Sequence, residues 1–267
     1  MILPRFLRPP VSEVALSIMF DAVKLRTVHF GLFWNRVRNK FPELAEQPPL
    51  ARQIEIETEL RRSPEPAFRF EPVAVPMLRF WFLNESGTEL LQLQQDRFAR
   101  NWRAAANVDY PSYDRIRGPF EEDLKSFEIF LRDERIGELT PVQCEVTYVN
   151  HIRRAGVWRS HGDLERVFTQ WASPAREFLP HVEDGQFVSR YQIRSDGRFV
   201  GRLHTSVQPA FAEDDPIFLL TLTARGNPLG TGLDGALKFL DLGHEWIVRG
   251  FAELTTVEMH RAWERES

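Results

Sequence analysis

The side chains able to do chemistry in this chain are few and dispersed. Glu13 lies in a run where Val14, Leu16, Ile18 and Phe20 alternate with Glu13, Ala15, Ser17 and Met19. Glu145 lies in a second such run, where Glu145, Thr147, Val149 and His151 fall on one face. Period-two alternation marks a strand with one covered face, so Glu13, Glu145 and His151 are predicted on the uncovered side of a sheet. Alternation in the hairpins adds Gln92 and Gln94, then Arg202, His204 and Ser206, then Thr221 and Thr223. Such a surface, polar with paired glutamates, serves a small ligand or a protein partner, or is simply solvated. A rival reading gathers Glu13, Glu145, His151 and His161 as ligands of a metal-dependent hydrolase. Zinc needs three or four converging ligands, and no local histidine pair has i, i+4 spacing, so neither a metal nor any other cofactor is expected.

A second cluster is basic and aromatic. Arg97, Arg100, Asn101, Trp102 and Arg103 fall within Arg97–Arg103, and Arg115 and Arg117 follow Tyr110 and Tyr113. Arginine forks beside Trp and Tyr suit single-stranded nucleic acid or phosphate. They equally suit a protein interface, or a solvated strand end whose arginines pair with Glu121, Glu122 and Asp123. With 34 basic and 38 acidic residues the net charge is −4, which disfavours non-specific grip on nucleic acid. The sheet face also lacks the cations and wedge phenylalanines of a DNA saddle. Any nucleic-acid contact is therefore expected to be weak, local and salt-sensitive. Cys144, between Val142 and Val146, reads as a small buried hydrophobe. His244, on an apolar helical stripe, reads as a hydrogen-bonded core residue. No phosphate loop, dinucleotide fingerprint, HExxH, paired CxxC or GxSxG motif is present.

The chain that must position these groups has 267 residues, 43% hydrophobic and 12% aromatic, with 21 Phe and 7 Trp. That is too apolar for disorder, and no stretch matches a membrane span. The first ten residues lack the h-region and cleavage site of a signal peptide. One cysteine permits no intrachain disulfide, which fits a reducing, cytoplasmic setting. An internal duplication organises the pattern. A shift of 132 places Glu13 on Glu145, Val14 on Val146, His29 on His161 and Leu32 on Leu164. Each half reads as strand, helix, short antiparallel strands, long helix, giving units 1–139 and 140–267 that form one compact body. Helices are expected at about 25–41, from Pro119 onward, at about 161–171, from about Leu233, and from Thr255 with Glu258 as a capping box. The Asp196-Gly197 pair predicts a hairpin turn. A Pro-rich insertion, about 43–76, is expected to loop over the first half, with Ile54-Glu-Ile56 as an edge strand.

The predicted class is α+β: an internally duplicated, pseudo-twofold molecule with one curved antiparallel sheet covered by helices on one face. That element order resembles the TATA-box-binding-protein-like and helix-grip folds, which host unrelated functions. The strings Leu32-Phe-Trp-Asn-Arg36, Leu91–Phe98, Asn101-Trp-Arg103, Val142–His151 and Leu240–Trp246 resemble a sporadically distributed, uncharacterised prokaryotic protein family of about this length. The resemblance implies a bacterial single-chain protein, of a kind that travels with mobile or defence genes, and supplies no catalytic residues. The expectation is a non-enzymatic binding or adaptor protein for a protein partner or small ligand. Its candidate ligand-binding residues are Glu13, Glu145, His151, His204, Arg97, Arg100, Asn101, Trp102 and Arg103. Nucleic-acid binding through the arginine cluster and metal-dependent hydrolysis are the alternatives.

Overall fold

The computed structural model describes residues 3–57, 78–105, 109–172 and 177–266. It is of α+β class, with one nine-stranded antiparallel sheet and five helices among those residues. The strands are β1 (Val11–Phe20), β2 (Glu43–Gln47), β3 (Arg79–Leu83), β4 (Glu89–Gln94) and β5 (Arg97–Arg103). They continue with β6 (Pro141–Ile152), β7 (Phe187–Ser195), β8 (Arg198–Ala212) and β9 (Asp215–Gly226). The helices are α1 (Thr27–Val37), α2 (Tyr113–Asp133), α3 (Leu164–Val167), α4 (Gly232–Leu254) and α5 (Val257–Ala262). The strand order is β2-β3-β4-β5-β1-β6-β9-β8-β7, so the two strands with the clearest alternation, β1 and β6, form the centre.

The alternation decides which face each residue takes. Val14, Leu16, Ile18 and Phe20 of β1 are fully buried, as are Cys144, Val146 and Ile152 of β6. They meet a phenylalanine cluster in which Phe127 of α2 packs on Phe20, Phe33 and Phe98 at ring distances of 5.9, 5.2 and 5.3 Å. In the other half α4 lies across β6, β8 and β9. Gly243 there lets the helix approach: a Cβ on it would stand 3.1 Å from Ala224 and 3.3 Å from Val146. Burial pushes the Cys144 thiol above its ordinary range, since nothing near it stabilises a thiolate. At the β7–β8 turn Asp196 and Gly197 have φ of 50° and 75°, the pair of positive values a type I′ hairpin demands.

Several element boundaries differ from expectation, each for a visible reason. α2 starts at Tyr113, and Pro119 lies inside it. The upstream turns are held by the Tyr113 hydroxyl donating to Asp241 at 2.8 Å and by Arg117 bonding Asp241 at 3.0 Å. α3 covers only Leu164–Val167, because the chain after it pairs with the α4–α5 junction: Phe168 bridges Thr255 and Thr256 N donates to Val167 O. Thr255 is committed to the Phe251 carbonyl, so the cap of α5 is Thr256, whose hydroxyl accepts from Met259 N. Arg97–Arg103, read as a surface cluster, is an interior strand. Residues 54–56 form no strand; the edge strand is β2, earlier in the same stretch. The rest of that Pro-rich stretch, from 58, lies outside the described residues.

Candidate functional site

Register places the sequence-predicted residues. On β1 the uncovered positions Glu13, Ala15, Ser17 and Met19 pair with Arg103, Asn101, Ala99 and Arg97 of β5 and with Val149, Thr147, Glu145 and Gln143 of β6. Glu13, Asn101, Arg103, Arg97, Glu145, His151 and His204 therefore share the uncovered face. Arg100 and Trp102 point the other way, which corrects the expectation that they join the same site. Arg100 is buried under α2, paired to Asp123 and, at 2.7 Å, to Glu89, with the Phe41 ring 5.4 Å from its guanidinium. Trp102 is buried against Tyr110. Of the five arginines in the basic cluster only Arg115 is freely exposed; Arg117 is held by Glu121 at 2.7 Å.

Those residues do not converge on one point. Glu13 accepts from Asn101 and from Arg103, 3.3 Å away, and Asn101 in turn accepts from Gln92 at 2.7 Å. Glu145 accepts from Arg225 at 2.5 Å. The row of Ala15 and Thr147 separates the two glutamates. His151 lies at the far end of β6, half-buried beside Arg153, and burial holds its pKa below the ordinary value. His161 bonds the Ile217 carbonyl at 3.0 Å among Trp158, Phe211 and Phe218 rings. Among the described residues no group of three or more His, Cys, Asp or Glu is arranged to hold a metal ion.

The chain also lays its own segment on this face. Residues 48–57, expected over the first half, cross both. Leu50 exchanges bonds with the Gln94 amide at 2.8 and 3.1 Å, and the Ala51 carbonyl accepts from Arg97 at 3.3 Å. Glu55 N donates to Gln143 at 2.7 Å. The buried Glu55 carboxylate then meets Arg202 and His204, each at 2.7 Å, and Arg225 at 3.5 Å. Burial alone would raise the pKa of Glu55; the bonds from His204 and Arg202, with the field of Arg225, outweigh it and hold the value at about 2. An ionised carboxylate only accepts, so His204 Nε2 carries the proton of that bond. Sequence reading missed Arg225, one step further along the Thr221–Thr223 alternation, and Glu55, flanked by two isoleucines.

A mostly apolar cleft lies on the other side of the sheet. It measures about 400 Å³ and opens between α4, the start of α2, the sheet centre and the N-terminal segment. Its walls are mainly apolar: Phe6, Pro9, Val11, Leu222, Ile247 and Phe251. A polar relay closes the inner end, with the Tyr110 and Tyr148 hydroxyls 2.8 Å apart and Tyr148 2.9 Å from His244 Nδ1. Tyr113 stacks on the His244 ring, with centroids 4.0 Å apart and planes within 3°. Burial drops the His244 pKa to about 4, against the pull of Asp114, Asp241 and Glu245, and raises that of Tyr110 to about 12. At pH 7 the relay is therefore uncharged, able to donate and accept one hydrogen bond at a time. Ser112, at the rim, has φ of 95°, a strained value of the kind that clusters at ligand sites. No helix among the described residues is long and apolar enough to cross a membrane. Comparisons with protein-family models, curated proteins and solved structures found no match.

Proposed function

We propose that this is a non-catalytic binding protein whose ligand is a small, mostly apolar molecule with one hydrogen-bonding group. The carrying observation is the cleft: apolar walls, a volume in the range of small-molecule sites, and a few convergent polar groups with displaced pKa values. Neutral His244 and Tyr148 recognise a hydroxyl, carbonyl or amide without requiring a charge. Among the described residues Ser112 makes no hydrogen bond to His244, and Cys144 is buried with its thiol pKa raised, which supports binding over turnover.

The same reading includes the duplication, with the cleft at the junction of two related halves. Glu13 faces Val149 and Ser17 faces Glu145; adding 132 to Glu13 and Ser17 gives 145 and 149, so the offset read from sequence exchanges the two pairs. Each half also carries one directly cross-strand glutamate–arginine pair, Glu13–Arg103 and Glu145–Arg225, bonded Oε2 to Nε in both. Strand order β3-β4-β5-β1 in one half mirrors β7-β8-β9-β6 in the other.

The test is small-molecule extraction from protein purified from its native host, followed by mass spectrometry. A stoichiometric apolar compound should accompany the wild type. It should be absent from V248W, whose indole fills the cleft from one wall. The reading fails if the wild type carries nothing and a panel of phenols and aryl amides leaves its tryptophan emission unchanged.

A further inference from the structure

We propose that Arg202, His204 and Arg225 form a binding site for an anionic oxyacid group, carboxylate or phosphate, that Glu55 of the chain's own strap occupies in this structure. A ligand enters by displacing residues 48–57 from the sheet.

The cluster exceeds what the scaffold needs. Glu145 already neutralises Arg225 in the same way that Glu13 neutralises Arg103. Beside Arg103 the neighbouring strand offers only Thr88, whose carbonyl takes the Arg103 amide, whereas beside Arg225 it offers a second arginine, Arg202. Beside Asn101 it offers Leu90; beside Thr223 it offers His204. Two arginines directly opposite each other on adjacent strands repel, and the pair is tolerable only with an anion between them. The strap supplies that anion from a stretch with no secondary structure of its own.

On the same face of the sheet three further buried side-chain groups are unpaired, one of them, Gln143, beside Glu55. Among the described residues Ser17 Oγ, Arg97 Nε and Gln143 Nε2 have no hydrogen-bond partner. They lie on adjacent strands, with Met19 paired to both Arg97 and Gln143. The Gln143 amide cannot turn over to relieve this, because its oxygen is fixed by Glu55 N–H. Among the described residues Arg97 bonds only the Met19 sulfur at 3.1 Å and the Ala51 carbonyl at 3.3 Å; Glu145 and Asp96 act on it through their field, without a hydrogen bond. Buried donors without acceptors are costly. The Gln143 amide beside Glu55 wants an oxygen, and with Arg202, His204 and Arg225 the donors at this point outnumber the two oxygens of Glu55. An incoming phosphate, or a molecule with two carboxylates, satisfies more of them than the strap does.

The experiment titrates the full chain with inorganic phosphate in one arm and glutarate in the other, by calorimetry, for wild type, E55Q and E55Q/R202Q. In wild type the strap competes, and the observed affinity is reduced by the fraction of time the site is covered. E55Q should bind one of the two probes at least tenfold more tightly than wild type, the better arm naming the oxyacid, and R202Q should remove that gain. Hydrogen exchange of wild type guards against a poorly folded E55Q: a saturating probe should speed exchange at Leu50 and Glu55 while β8 and β9 stay protected. A folded E55Q that binds neither probe better than wild type, or wild-type exchange at Leu50 and Glu55 unchanged by both probes, overturns the proposal and leaves Glu55 as a structural tie.

Discussion

His244 and Glu55 have pKa values moved downward for different reasons, and the consequences for stability separate on the pH axis. His244 is held neutral by burial, at about 4 against an ordinary 6.5. Between those values the unfolded chain binds the proton that the folded chain refuses. Its contribution is thus complete above pH 6.5 and is lost as pH falls toward 4, by up to roughly 3 kcal/mol. Glu55, held at about 2 against 4.5 by its partners, contributes fully above 4.5 and loses that as pH falls toward 2, by a similar amount of about 3 kcal/mol. Urea unfolding measured from pH 7 to 2 should fall in two steps, and E55Q should flatten the lower one alone. A single step untouched by E55Q would mean that Glu55 is not held by its cations in solution.

Arg100 gives a second residue-scale test. It shares buried Asp123 with Lys40, whose Nζ is 2.9 Å away. Substituting D123A strands a buried guanidinium with Glu89 alone, and stability should drop by about 3 kcal/mol. An exposed arginine of the kind the sequence suggested would lose well under 1 kcal/mol. Sequence reading erred here because Arg97, Arg100 and Arg103 were taken as one patch. Period two sends Arg97 and Arg103 to one face and Arg100 to the other.

At the scale of elements, regular alternation made β1, β6, β8 and β9 legible, and Asp196-Gly197 marked its turn. Less legible were elements whose limits are set by partners distant in sequence. α2 is the clearest: Pro119 is a favoured first-turn residue, yet the helix begins six residues earlier because Asp241 of α4 anchors Tyr113 and Arg117. Removing that anchor with D241A should return the start of α2 toward Pro119. Amides of 115–118 should lose hydrogen-exchange protection while 120–131 keep theirs, at a global cost of about 1 kcal/mol. Loss of protection along all of α2 would show that the helix depends on this anchor throughout. The cleft was half legible for the same reason. Tyr110, Tyr113 and His244 were each noticed, but their meeting depends on how α2 and α4 pack, which no local pattern encodes.

For the whole molecule, the central β1–β6 ladder makes the nine strands one hydrogen-bonded sheet, and cooperativity should follow. Thr147 is the discriminating position. It faces the uncovered side, its hydroxyl 3.0 Å from that of Thr223, so replacing it removes little core packing. T147P removes a ladder donor in the middle of β6, between β1 and β9, where proline is excluded from interior strands. The cost should be at least about 3 kcal/mol. Because β6 joins the two sets of strands, hydrogen exchange in rising urea should show β4–β5 and β8–β9 losing protection together, in wild type and, at lower urea, in T147P. If T147P exposed β8–β9 while β4–β5 held its wild-type midpoint, the halves would be separate folding units that merely abut.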